Sequence, residues 1–550
     1  MTIISSSQND SGSFKTTKYF KNTITTSTSN ISTTDSSPST PNGSLESINM
    51  LTNLNLSTSL SSTSTTVTST SSLLDSIVDS FTKPLNNENL NNHSNLLVDD
   101  FNSSLLQDSI TMIPNYNISP TGEEEGSYLV VDLGGSTLRV AIVNIDSPLS
   151  NKDRKDRLQV IIENKWIISN EYKTINYEFF KFIGSKIQDT LNKQSLINTK
   201  NVINTGITWS FPLDTTSFNN GKIRHVSKGY TIDKEIYDQD LKEVFESVLL
   251  KEFNIQIDIR SILNDSLAVY SAGSFLDDKM RLAMVLGTGF NMCCQLQTNK
   301  NRMHSKKLID NEILINTELS LFGQHLCDDF TTKYDGFIDK RFNHFKHHFK
   351  TYLSEDPDCN LLFQPHELMT SGRYLPELLR LILIDLINNE EIMTNFNKSE
   401  LNEIINLRYD GFSGELMCFI NECNDYNLIT LKFKEFYNWE DEKNIKNSDI
   451  EIMKIIIESI IKRASFIVAN TIIGFFKLFK QHNNDENLEG LITIGYVGSV
   501  LNYFHNYRNL IIEYVNSSND AINEGYKVDL KLIENSSIIG AAIGAAYYSK

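Results

Sequence analysis

Cysteine, proline and tryptophan are scarce in this chain, at 6, 10 and 3 among 550 residues. Cys293, Cys294, Cys327, Cys359, Cys418 and Cys423 contain no CxxC pair, so neither a zinc site nor a disulfide framework is expected. No apolar signal-peptide core follows Met1, and no run approaches the ~20 apolar residues of a membrane span. Reduced thiols, a cytoplasmic location and no membrane span are the expectation. Basic residues are the minority charge: Lys and Arg number 50 against 68 Asp and Glu, for a net −18. That balance argues against general nucleic-acid binding, which needs a basic face. HExxH, GxSxG and Cys/His nucleophile patterns are also missing.

What is present is apolar bulk. Hydrophobic residues make up 40% and aromatics 10%, ample for a large core, and the length suits two or three domains. Residues 1 to about 70 are dominated by Ser, Thr and Asn, with too little apolar surface to offset ordering entropy, so a disordered tail is expected. After it, Leu73, Leu74, Ile77, Val78 and Phe81 fall at helical spacing, as in a docking helix. "NISPTGEEEGS" then reads as a turn. Beyond it, "YLVVDLGGSTLRVAIVNI" runs apolar, turns at two glycines and leaves apolar, which predicts a β-hairpin. "RLAMVLGTGFNMCCQL" repeats the pattern about 150 residues later, which predicts a duplicated architecture. Further strands are read in "DRLQVIIENKWII" and "NVINTGITWSF". Helices are read in "YDQDLKEVFESVLLKEF", "LPELLRLILIDLINN", the long run from Asp449 and the C-terminal "IIGAAIGAAYY". Strands alternating with helices in both halves predict an α/β fold.

Two glycines bring backbone close to a ligand and offer N–H groups to an anion. Asp132 of "DLGGST" can hold Mg²⁺ directly or through water, since hard cations take oxygen ligands. "LGTGFN" adds the hydroxyl of Thr288. One such turn is better explained by a plain hairpin; two suggest a polyphosphate clamp. Ser210 in "WSFPL", followed by Ser227 and Lys228, suits a polyol such as a sugar. Glu318 and Glu367 sit in apolar segments as acceptors for sugar hydroxyls. In "SILNDSLAVY", Asn264 and Asp265 interrupt a run that wants burial, where an unused carboxylate is costly. His344, His347 and His348 in "HFKHHFK" read as a solvated helix face.

In order, "MIPNYNISPTGEEEGSYLVVDLGGSTLRV", "TWSFPL", "SKG", "LNDSLA", "GTGFN", "INTELSLFG" and "SGRYLPELLRL" resemble the hexokinase family of ATP-dependent sugar kinases, from about Leu73 to Lys550. The resemblance implies an actin-like ATPase (ribonuclease H-like) fold. Its two α/β lobes would flank a central cleft: a small lobe over 71–263, a large lobe over 264–537, and a helix at 538–550 packing back on the small lobe. It implies transfer of the ATP γ-phosphoryl to the 6-hydroxyl of a hexose such as glucose, mannose or fructose, the first step of glycolysis. The alternatives are the same chemistry on N-acetylglucosamine, and a hexose sensor with little catalysis. A monomer or weak homodimer is expected.

By the same resemblance Asp265 is the general base. Ser210, Ser227, Lys228, Asn264, Asn291, Glu318 and Glu367 line the sugar, Lys228 also serving catalysis. Asp132, Gly134, Gly135, Ser136, Thr137, Arg139, Gly287, Thr288, Gly289, Gly498 and Ser499 face ATP, with Asp132 the Mg²⁺ residue. The chain departs from the family's usual pattern at several points. Ser227 replaces a threonine, and Ser136-Thr137 replaces Thr-Asn. "VGS" at Val497–Ser499 lacks an aspartate, and "NSSIIG" at Asn535–Gly540 replaces a glycine-rich acidic motif. The adenosine end therefore looks altered while the sugar end is kept. Trp209, Ser227 and Phe290 mark where the sugar pocket itself could differ.

Overall fold

The computed structural model describes residues 73–107, 110–117, 119–193, 202–211, 213–224, 226, 230–303, 312–343, 363–440, 443–483 and 488–549. The Ser/Thr/Asn-rich tail, Ser227, Lys228, Cys359 and the three clustered histidines lie outside the described residues.

Tyr128–Leu133 is apolar except for its aspartate and is buried throughout, the signature of a strand covered on both faces. It belongs to β2 (Gly126–Leu133), which turns at Gly134–Ser136 into antiparallel β3 (Thr137–Ile145), itself paired with β4 (Leu158–Ile167). On its other side β2 takes parallel β5 (Ile203–Trp209), and β5 takes parallel β6 (Ile257–Leu263). The second sheet repeats the plan. β7 (Met280–Leu286), β8 (Phe290–Gln297) and β9 (Glu312–Asn316) form an antiparallel meander. β10 (Gly490–Val497) and β11 (Tyr526–Leu532) then add in parallel to the free side of β7. A short β1 (Ile113–Asn115) extends this sheet at β9. Meander first, then two parallel strands beside its first member, is one topology used twice. The duplication expected from the two glycine hairpins is therefore present.

The anticipated helices are present as α1 (Leu73–Thr82), α4 (Leu241–Phe253), α7 (Leu375–Asn388), α8 (Asn447–His482) and α10 (Ser536–Tyr547). Several helices escaped the sequence reading, among them α2 (Asn87–Gln107), α3 (Tyr177–Lys193) and α9 (His505–Asn516). In α2, asparagines mask the stripe Leu90, Leu97, Val98, Phe101 and Leu105, whose spacing buries one face in the main core with α8. "NISPTGEEEGS" does form a loop, closed by buried Glu124, whose carboxylate accepts from Thr121 and Gly122. Cys293, Cys294 and Cys327 are buried thiols, and Cys418 and Cys423 are half-buried ones.

The last strand of each plan leads into a helix: β6 into α5 (Asp265–Leu276), β11 into α10. These two helices cross at very short range. A Cβ on Gly540 of α10 would stand 2.2 Å from the Ala268 carbonyl oxygen of α5. Only glycine permits that approach, which is the physical reason for the small-residue run "IIGAAIGAA".

Candidate active site

The apolar half of "SILNDSLAVY" before Asn264 is β6 and the half after it is α5. The polar residues therefore mark a strand-to-helix junction. Asn264 is the N-cap: its Oδ1 accepts from Leu267 N at 2.8 Å. Such a cap contributes about 1 kcal/mol. That oxygen is engaged, so the amide N–H groups are what Asn264 can offer a ligand. Asp265 is the first helical residue, its Oδ1 accepting from Ser266 N at 2.9 Å, which fixes the carboxylate at the helix start.

Asp132 enters near the end of β2 and is 5% exposed. Burial pushes its carboxyl above the usual carboxylate range, Arg139 opposes that rise, and the charge of Asp265 adds to it. Arg139, opposite Asp132 on β3, donates from Nε and Nη2 to the same oxygen, each at 2.7 Å. Its Nη1 lies 3.6 Å from Glu163 on β4. The first turn itself is tight: Gly134 N–H donates to the Thr137 carbonyl at 2.9 Å, with Ser136 exposed at its tip. Ser210 begins where β5 ends, its N–H bonded to the Leu133 carbonyl at 3.2 Å. Asp132, the first turn, Ser210 and Asp265 are thus set by neighbouring strand ends of one sheet.

The second sheet supplies the other group. Asn291 Oδ1 accepts from Met292 N at 2.8 Å and from Leu319 N at 3.2 Å, while its Nδ2 donates to Asn316 at 2.8 Å. Glu318 sits in the left-handed region, φ 51°, and its Oε1 accepts from Asn316 Nδ2 at 2.6 Å. Glu367, on the short helix α6 (Pro365–Thr370), accepts from Phe290 N–H at 3.3 Å. Thr288 is exposed at the turn between β7 and β8. Asn316, which the sequence reading did not assign to the site, bonds two of these residues, Asn291 and Glu318. Its position two before Glu318 was the available signal.

Three turns converge beside Thr288. Gly372 N–H donates to the Gly287 carbonyl at 2.8 Å, and a Cβ on Gly287 would lie 3.3 Å from Ser499 N. Gly498 has φ +120°, and a Cβ there would meet the Leu286 carbonyl at 2.2 Å. Bare backbone at this convergence fits a nucleotide polyphosphate, and the buried carboxylate of Asp132 on the first sheet is the kind of hard oxygen donor that Mg²⁺ takes. The glycine of "VGS" is retained because the packing demands it. The lost acid is Val497, the last residue of β10.

Two of the residues suspected of shaping the pocket are buried in the packed interior. Trp209 and Phe290 are 1% and 2% exposed. Trp209 packs edge-on against Phe211 and Phe245, and Phe290 lies in the main core beside His366. Their positions in β5 and β8 turn these large side chains inward.

Two family models, each described as Hexokinase, match residues 73–275 and 281–547. The chain belongs to the hexokinase family. It is 57% identical over 479 residues to N-acetylglucosamine kinase 1 of Candida albicans, covering 87% of this chain and 94% of that protein. Glucokinase-1 of Saccharomyces cerevisiae is 24% identical over 464 residues, covering 79% and 87%. The solved structure of hexokinase from Schistosoma mansoni complexed with glucose superposes with a TM-score of 0.67 at 20% identity, covering 86% of this chain and 98% of that one. The fold is thus that of the actin-like sugar kinases. As a family member the chain is a sugar kinase, a phosphotransferase with an alcohol acceptor, of a family that uses ATP, typically with Mg²⁺. Among the described residues no helix is long and apolar enough to cross a membrane.

Proposed function

We propose that this sugar kinase phosphorylates N-acetylglucosamine at its 6-hydroxyl. One observation carries the reading: 57% identity to an N-acetylglucosamine kinase along 94% of that protein, against 24% to a glucokinase. The sequence reading put glucose-like hexoses and glycolysis first. The identity favours its alternative.

In this reading Asp265 takes the proton of the attacking hydroxyl as general base. Phosphoryl transfer asks the protein mainly for alignment and charge stabilisation. Asn264, Asn291, Glu318 and Glu367 orient the sugar, together with Ser210, Ser227 and Lys228. The turns at Gly134–Thr137, Gly287–Gly289 and Gly498–Ser499 offer backbone N–H groups to the phosphates. Asp132 is the residue that would hold Mg²⁺, and Arg139 fixes its carboxylate. ATP supplies the phosphoryl group when bound, and Mg²⁺ neutralises its oxygens. The residues of 71–263 and 264–537 act as two lobes that close on the sugar and exclude water.

The test offers ATP·Mg²⁺ with N-acetylglucosamine, glucose, mannose or fructose and follows ADP release. Highest kcat/KM with N-acetylglucosamine is expected. Preference for glucose would return the hexose reading. Sugar-induced thermal stabilisation with no ADP release would leave a sensor.

A further inference from the structure

Asn316 ends β9 with its side chain buried, at 9% exposure. Every polar atom of that side chain is spoken for. Nδ2 donates to Glu318 Oε1 at 2.6 Å. Oδ1 accepts from Asn291 Nδ2 at 2.8 Å and faces Ser266 Oγ at 3.4 Å. Ser266 in turn reaches Asn264 Oδ1 at 3.1 Å, and its N–H holds Asp265. One amide therefore touches the end of β9, the β8 strand and the start of α5. The amide can face only one way: turned over, its NH₂ would oppose that of Asn291 and its oxygen would oppose a carboxylate. Glu318 is the residue most in need of such a tie, because its backbone is held at φ 51°, a conformation that residues other than glycine rarely adopt.

We propose that Asn316 is a positioning residue. It aims the Glu318 carboxylate and the Asn291 amide at the sugar, and through Ser266 it ties them to the Asn264–Asp265 pair. The proposal rests on the assignment of Glu318 and Asn291 to the sugar. Its consequence is selective: losing the Asn316 donor weakens sugar recognition and leaves ATP recognition alone.

Asn316→Asp keeps the acceptor facing Asn291, removes the donor and sets a second carboxyl against Glu318. Two carboxyls at that distance do not both ionise, and the shared proton rebuilds the lost bond as pH falls. The sugar KM of the variant should rise about 10-fold or more at pH 8, the worth of a charged hydrogen bond. It should recover most of the way by pH 6, while the wild-type sugar KM stays flat over that range. The ATP KM should stay within about twofold, since no ATP-facing group is touched. Asn316→Ser, which adds no charge, should raise the sugar KM equally at both pH values. Glu318→Gln separates the two claims. If it leaves sugar KM unchanged, the assignment of Glu318 to the sugar fails. If it raises sugar KM while Asn316→Asp and Asn316→Ser do not, the role of Asn316 is overturned. A rise in sugar and ATP KM together, independent of pH and tracking a loss in Tm, would also overturn it by making Asn316 merely structural.

Discussion

Arg139 closes two 2.7 Å contacts on a single oxygen of Asp132, across the first two strands of the first sheet. The pairing leaves the other Asp132 oxygen for a ligand and opposes the rise that burial, and after it the charge of Asp265, impose on this carboxyl. Arginine suits the task because its planar fork delivers two donors in fixed geometry.

Arg139→Leu should therefore lower kcat/KM for ATP by about 10- to 100-fold, the worth of a charge-assisted contact. Arg139→Lys should recover part of it. Sugar affinity by calorimetry should be unchanged in both. A normal kcat/KM for ATP in the leucine variant would remove Arg139 from this role.

Asp265→Ala should keep sugar binding and lose turnover by about 10²–10⁴-fold, the usual contribution of a positioned base. Calorimetry with the sugar and steady-state ADP release measure the two separately. An undiminished kcat would show that another group takes the proton.

The crossing of α5 and α10 should be intolerant of any side chain at Gly540. Gly540→Ala puts a methyl 2.2 Å from the Ala268 carbonyl, and overpacking of this kind costs about 1–3 kcal/mol. The midpoint of denaturant unfolding should fall accordingly. An unchanged midpoint would show that the two helices separate freely.

Asp100 on α2 offers a pH-dependent test of stability. Burial first, and Asp99 second, push its carboxyl up to about 7, and the His325 ring lies 3.9 Å away. The folded protein therefore holds this proton to about pH 7, whereas the unfolded chain releases it near the ordinary aspartate value of 3.8. Stability falls as pH rises through that window and is level above it. The bound on the effect is about 4 kcal/mol at about 1.4 kcal/mol per pKa step. Asp100→Asn should exceed the wild type in Tm at pH 8 and match it near pH 4. An equal Tm difference at both pH values would contradict the buried ionisation.

Much of this was legible in the chain because continuous apolar runs and glycine turns are local signals. Both hairpins, the α/β alternation and the long helix α8 could be read that way. The helix α2 could not, since its asparagines dilute the stripe that packing against α8 makes meaningful. Trp209 and Phe290 stood beside site motifs in sequence, yet strand alternation turned both into the core. Asn264 and Asp265 looked like polar faults in one buried run, and they proved to be the cap and first residue of a helix.

The sequence by itself determined the family, the candidate base and the glycine turns, because those rest on residue type and short spacing. Tertiary structure alone decided which oxygen of Asp132 Arg139 occupies, that Gly540 must admit a carbonyl, and that Asn316 joins Glu318, Asn291 and Ser266. The first depends on side-chain geometry across the β2–β3 hairpin, and the other two on strands and helices distant in sequence meeting at contact range, which no local pattern records.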